Sequence, residues 1–200
     1  MCKELHVIST GKQSAQTLAL IMKQIHPYID YIHVRERSWT AIELMLAIDA
    51  LLNNGVPPSK IIINDRIDVA QAMKVSGVQL AYHSMLVQTV RQTFPKLMIG
   101  RSIHGIDEAK QAEQDGADRL MYGHIFPTSS KPNLKPRGLG NLQQIVHEVN
   151  IPVIAIGGMT PENVSSVLQT GAAGVAVLSG ILLAEDPVTQ VKRYRKQIDS

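Results

Sequence analysis

Two short apolar runs near the carboxyl end constrain this chain more than any other feature. Ile151-Pro-Val-Ile-Ala-Ile156 and Gly174-Val-Ala-Val-Leu178 are rich in Val and Ile and do not alternate with polar residues. Each stops at a small turn, Gly157-Gly158 after the first and Ser179-Gly180 after the second. Strands that are apolar throughout belong to a parallel sheet covered on both faces. Between them, Thr160-Pro161-Glu162 supplies a helix start, with an N-cap hydroxyl, proline at the first helical position and early negative charge. The pair is therefore a βαβ unit.

The same unit recurs backwards along the chain. Leu5–Ser9, Tyr31–Arg35, Ile61–Asn64, Val78–Leu80, Leu97–Ser102 and Arg119–Gly123 read as strands. Leu18, Ile21, Met22 and Ile25 give helical spacing, and Thr40-Ala-Ile-Glu43 matches a capping box. Ser84 reads as the cap of a helix running to Phe94, and Asp107 as the cap of Glu108 to Gln114. Eight strands alternate with eight helices, which predicts one (β/α)8 barrel over residues 1–200. A doubly wound open sheet is the alternative, but no Gly-x-Gly-x-x-Gly turn follows the first strand. The rhythm breaks once, at His124 to Leu139, where three prolines and no helical period predict a long functional loop.

Bulk numbers narrow the class. The 200 residues suit one well-cored domain, and 44% hydrophobic with 18% charged residues describe a globular chain. A net charge of +3 predicts no nucleic-acid partner, and the basic cluster Lys192–Lys196 reads as the solvated face of the last helix. One cysteine excludes an internal disulfide, and no apolar run reaches membrane length, so no membrane partner and a cytoplasmic location are expected.

Barrel chemistry sits at the carboxyl ends of the strands. Gly157 and Gly158, with Ser179 and Gly180, leave backbone N–H groups open after two consecutive strands, which predicts a phosphate grip. The other reading of these glycines is two tight βα turns. His33, Arg35 and Arg37 share one side of strand two, where guanidinium forks would hold a carboxylate or phosphate. Surface salt bridges to Glu36 or Glu43 would explain the arginines equally. Asn64, Ser102 and His104 stand at further strand ends, and Thr128, Ser130 and Lys131 follow on the loop. His124, leaving strand six, is placed to carry a proton near neutral pH, whereas His6, His26, His83 and His147 read as structural. No cysteine pair or His-x-x-x-His occurs, so no metal site of the zinc kind is expected.

Four motifs taken together resemble the thiamin phosphate synthase superfamily over nearly the whole chain. They are Ile-Asn64-Asp65-Arg66-x-Asp-Val-Ala, Gly100-x-Ser102-x-His104, Tyr-Gly123-x-x-Phe-Pro-Thr128-x-Ser-Lys131 and Ala-Ile-Gly157-Gly158. The resemblance implies a barrel acting on a small thiazole phosphate. Synthases of the family join an aminopyrimidine pyrophosphate to that compound, whereas a thiazole tautomerase (TenI-like) branch aromatises its carboxylate precursor. Three departures separate the two. The family's Gln-x-Arg-x-Lys is His33-Val-Arg35-Glu-Arg37 here, and its Gly-Gln-x-Asp, which carries a magnesium ligand, is Ala81-Tyr82-His83-Ser84. Its proline after Gly123 is His124. These departures lead us to expect a tautomerase, an isomerase with no cofactor and no metal. In that reading His124 is the catalytic acid and base. Arg35 would hold the carboxylate, and Gly158, Ser179, Gly180, Thr128, Ser130 and Lys131 the phosphate. The alternatives are a synthase with an altered metal site and a regulatory protein that binds thiazole phosphate without turnover. Assembly into a homo-oligomer is left open.

Overall fold

The computed structural model describes residues 3–130, 132 and 134–200. Its elements are β1 (Glu4–Ile8), α1 (Ala15–Ile25), β2 (Tyr31–Val34), α2 (Ala41–Asn53), β3 (Ile61–Asn64), α3 (Ile67–Ala72), β4 (Gly77–Leu80) and α4 (Val87–Thr93). They continue with β5 (Met98–Ile103), α5 (Ile106–Gln114), β6 (Arg119–Gly123), α6 (Gly138–Glu148), β7 (Val153–Ile156), α7 (Pro161–Gln169), β8 (Gly174–Val177), a single turn α8 (Ser179–Leu182) and α9 (Pro187–Asp199). The strands are parallel and pair in sequence order, and β1 closes on β8 through Glu4↔Gly174 to Val7↔Val177. This is the (β/α)8 barrel that the alternation predicts, with α8 inserted before the last barrel helix.

Register sorts each strand into two faces. Leu5, Val7, Ile32, Val34, Ile61, Ile63, Val78 and Leu80 face outward into one large core shared with the helices. Ile8, Met121, Ile154 and Ala176 face inward and form a small separate cluster inside the barrel. Both faces are covered, and β7 and β8, apolar on each side, show no alternation of apolar and polar residues, whereas β1 and β2 alternate because most of their inward positions are polar. Beside this cluster lies a polar network. Glu4, His6, Tyr31, His33 and Arg119 join by hydrogen bonds across β1, β2 and β6. Sequence reading took His6 as structural and did not see its partners, Glu4 and His33.

Helix starts follow local chemistry, with two corrections. The Thr40 hydroxyl accepts from the Glu43 N–H, and the Glu43 carboxylate accepts from the Thr40 N–H at 2.7 Å, completing the box that opens α2. Ser84 does not cap α4. Its hydroxyl accepts from the Ala81 N–H at 2.8 Å, closing the turn after β4, and Leu86 is the N-cap. Asp107 lies inside α5, whose N-cap is Gly105. The basic cluster of α9 is not merely solvated: Arg193 pairs with Glu162 and Arg195 with Asp30. No helix among the described residues is long and apolar enough to cross a membrane.

Candidate active site

The strand ends open onto one cavity of about 840 Å³. Arg35, Arg37, Asn64, Ser102 and His104 line it from β2, β3 and β5 and the turns that follow them. His124, Thr128 and Ser130 line it from the end of β6 and its loop, and Gly157, Gly158, Ser179 and Gly180 from the ends of β7 and β8. Every described residue expected at the site from sequence is therefore in one place, and Lys131 lies outside the described residues.

Ser9 sets the geometry on the β1–β2 side. Its N–H donates to the His33 carbonyl at 2.9 Å and its hydroxyl accepts from the Arg35 N–H at 2.7 Å, so β1 and β2 stay joined beyond their last ladder bonds. The Arg35 guanidinium then reaches the cavity. Neither Arg35 nor Arg37 has a carboxylate within ion-pair distance among the described residues. Glu36 instead accepts from the Gly11 N–H at 3.2 Å, and Glu43 is held by Thr40. The salt-bridge explanation of the arginines therefore fails. Burial lowers the Arg35 pKa, the neighbouring Arg37 charge adds to this, and Glu36 opposes it. An uncompensated pair of cations beside a cavity favours a ligand of at least two negative charges.

The β7–β8 side is built of backbone. Gly157 and Gly158 adopt φ of 98° and 67°, in the left-handed region that glycine occupies without strain. A Cβ on Gly157 would overlap the Cβ of His124 and lie 2.7 Å from its Cα, and one on Gly158 would lie 2.6 Å from the Pro127 carbonyl oxygen. These glycines let the β6 loop lie directly on the β7 turn. Across from them α8 begins at Ser179, and its first N–H groups lack intrahelical partners. The Tyr194 hydroxyl, buried, donates to the Met159 carbonyl at 2.8 Å and lies against Gly180. Its pKa is pushed up to about 12, mainly by burial.

His124 is buried rather than displayed at the loop mouth. Its Nε2–H donates to the Leu134 carbonyl at 3.0 Å, because a carbonyl can only accept, and that leaves Nδ1 as the basic nitrogen. The Arg137 N–H donates to the His124 carbonyl at 2.9 Å, so the loop starts and ends on the same residue. The loop is shorter than predicted, since α6 begins at Gly138. His104 is partly exposed and its backbone N–H donates to Glu108 at 2.8 Å. Sequence reading missed Gln79, which faces the cavity and donates to Ser102 at 3.1 Å, and His83, which lies 3.8 Å from Asp65. Gln79 sits mid-strand at a position parity could have identified. The His83 contact depends on the β4 turn, which carries no local signature. No group of three His, Cys, Asp or Glu side chains is arranged to hold a metal among the described residues.

With this geometry in hand, comparison with known proteins is informative. A family model described as thiamine monophosphate synthase matches residues 5–181. The thiamine-phosphate synthase of Caldivirga maquilingensis is 43% identical over 138 residues, covering 69% of this chain and 67% of its own. That of Pyrococcus horikoshii is 43% identical over 137 residues, covering 68% and 66%. The matched stretch is thus about two thirds of each relative's length. The solved structure of a thiamine phosphate pyrophosphorylase from Pyrococcus furiosus has a TM-score of 0.83 at 31% identity, covering 98% of this chain and 95% of that one. The two sequence relatives are named as synthases, and they overturn the isomerase and tautomerase expected from sequence. That expectation weighed three local departures, at β2, after β4 and at His124, above a likeness spread along the barrel. The chain belongs to the thiamine monophosphate synthase family.

Proposed function

We propose that this chain is a transferase of the thiamin phosphate synthase type, joining an aminopyrimidine diphosphate to a thiazole phosphate with release of diphosphate. The observation that carries the reading is that two sets of groups suited to anions line one cavity. A backbone cradle at Gly157, Gly158, Ser179 and Gly180 suits a monophosphate, and the unpaired Arg35 and Arg37 on β2 suit a more highly charged diphosphate. About 840 Å³ is ample for two heterocycles. The synthase names of the relatives at about 40% identity support the same reading.

The reaction forms a bond from the thiazole nitrogen to the pyrimidine methylene carbon and breaks the carbon–oxygen bond to diphosphate. In this reading the glycine cradle fixes the nucleophile by its phosphate. Arg35 and Arg37 bind the diphosphate and meet the charge that grows on it as the bond breaks, with Thr128 and Ser130 offering hydroxyls from the loop. The family resemblance implies a magnesium clamp of two carboxylates, and the residues here do not fit it. Asp65 is present at the end of β3, but Ser84 stands in place of the second carboxylate, and its neutral hydroxyl is already engaged by the Ala81 N–H. A two-carboxylate clamp is therefore not part of this scheme.

The test is direct coupling of aminopyrimidine diphosphate to thiazole phosphate, following thiamin phosphate and diphosphate in equal amounts, with magnesium varied from none to millimolar. Stoichiometric release of both products is expected. No product at saturating levels of both substrates, at any magnesium concentration, refutes the reading.

A further inference from the structure

The interior polar chain ends at the cavity in an unpaired atom. Arg119 donates to Glu4 at 3.0 Å, Glu4 Oε2 lies 2.8 Å from His6 Nε2, and His6 Nδ1 lies 2.8 Å from His33 Nε2. His33 is buried in the cavity wall, two residues below Arg35, and its Nδ1 has no hydrogen-bond partner among the described residues. Buried polar atoms in native proteins are nearly always paired, so an orphan nitrogen in a ligand cavity points to a partner the ligand brings.

The chain has a direction. A carboxylate can only accept, so His6 Nε2 carries the proton given to Glu4, and neutral His6 has a bare Nδ1. That nitrogen accepts from His33 Nε2–H, and neutral His33, a residue of the cavity wall, is left with a bare Nδ1. Both rings are pushed toward the neutral form. Burial lowers the pKa of each, most strongly for His33, and the positive charge of Arg119 adds to it. Burial opposes ionisation of Glu4, but the hydrogen bonds and charges of His6 and Arg119 outweigh it and its pKa is lowered. We propose that Glu4, acting through His6, fixes His33 as the Nε2–H tautomer, so that its Nδ1 is a specificity-determining acceptor for an N–H group of the heterocycle bound in the cavity. Taking that N–H as the exocyclic amine of an aminopyrimidine rests on the transferase reading above. Glu4 and His6 are positioning residues, remote from the ligand.

Arg119 makes the direction reversible. Its Nη1 lies 3.4 Å from His6 Nε2, where it cannot bond while that nitrogen is protonated. In Glu4→Ala the guanidinium becomes the nearest group and can only donate. His6 Nε2 would then accept, His6 Nδ1–H would donate to His33, and His33 would show an N–H to the cavity. In Glu4→Gln the amide oxygen still accepts from both Arg119 and His6, so the original direction is retained.

Long-range proton–nitrogen correlation spectra of the full chain, labelled in its histidine rings, read the tautomers. Wild type and Glu4→Gln are expected to show His33 with Nε2–H and a bare Nδ1, and Glu4→Ala the reverse. Addition of the aminopyrimidine diphosphate should move the wild-type His33 Nδ1 resonance. Preference for this ligand over its desamino analogue should be on the order of 10-fold in wild type and Glu4→Gln and close to 1 in Glu4→Ala. A protonated Nδ1 in wild type, or an unreversed His33 in folded Glu4→Ala, overturns the proposal. If Glu4→Ala does not fold, the wild-type spectrum with and without ligand decides. A moved Nδ1 without coupling turnover keeps the proposal and removes the transferase reading. Turnover with an unmoved Nδ1 does the opposite, and the absence of both removes both.

Discussion

Replacing Gly157 with alanine should damage this protein, while the same change at Gly140 should improve it. Gly157 has φ of 98°, where an alanine costs about 1–2 kcal/mol. The new Cβ would overlap the Cβ of His124, and no rotamer change can relieve a clash between two Cβ atoms. Shifting the backbone to make room costs roughly another 1–3 kcal/mol. The sum is about 2–5 kcal/mol, and at roughly 2–4 °C per kcal/mol for a chain of this size Tm should fall by roughly 4–20 °C. Gly140 lies in the first turn of α6 with open space around its Cα. Alanine there should add up to about 0.5–1 kcal/mol from helix propensity. Calorimetric melts of the two variants give the test, and binding of thiazole phosphate to Gly157→Ala should weaken because the turn that presents the cradle has moved. A Gly157→Ala Tm within 2 °C of wild type, or a destabilised Gly140→Ala, would refute the reasoning.

Arg35→Ala should weaken inorganic diphosphate binding roughly 10- to 100-fold, as expected for one charged hydrogen-bonding group, whereas Arg91→Ala, whose guanidinium pairs with Asp118 away from the cavity, should not; equal affinities by calorimetry in the two variants would rule out Arg35 as the anion station. His124→Ala removes the strut to Leu134, so limited proteolysis within the β6–α6 loop should accelerate about 5-fold with the melt little changed, and an unaltered cleavage rate would show the strut to be idle. Stability should fall as pH drops from 7.5 to 5.5. Burial lowers the pKa of His6, and that of His33 more strongly, below the ordinary 6.5 that each regains on unfolding, so the unfolded chain binds more protons in this range, and the slope from the two rings is positive and at most about 2.7 kcal/mol per pH unit. Urea unfolding that gives one free energy at both pH values would contradict neutral burial of these rings.

Much of the barrel was legible because its signals are local. β3 and β6 have the bounds read from sequence, since each is an apolar run cut off by a polar or glycine end. The two missed caps show the limit: Ser84 and Asp107 have capping chemistry, but a turn hydrogen bond claimed the first and the helix began one residue before the second. The candidate site residues were chosen by their positions at strand ends, a rule of the fold rather than a property of each residue, and the described ones line one cavity. The interior chain was invisible because His6 and His33 are 27 residues apart and Arg119 is 115 from Glu4. Activity was misread for a related reason. One altered ligand position does not reveal what the neighbouring strands supply in its place, and here Arg35 and Arg37 have no ion-pair partner among the described residues.

The strap made by Ser9 has a consequence for how a ligand is captured. It grips Arg35 by the main chain and leaves the guanidinium with no hydrogen bond among the described residues, like a hand on a fixed wrist. The glycine cradle is rigid and loses almost no freedom when an anion settles on it. Arg35 gives up rotamer freedom when it closes on one. The cavity thus has a stiff jaw and a soft jaw. In the transferase reading proposed above, the thiazole phosphate would register against the stiff jaw, and the soft one would adapt to the diphosphate of the second ligand.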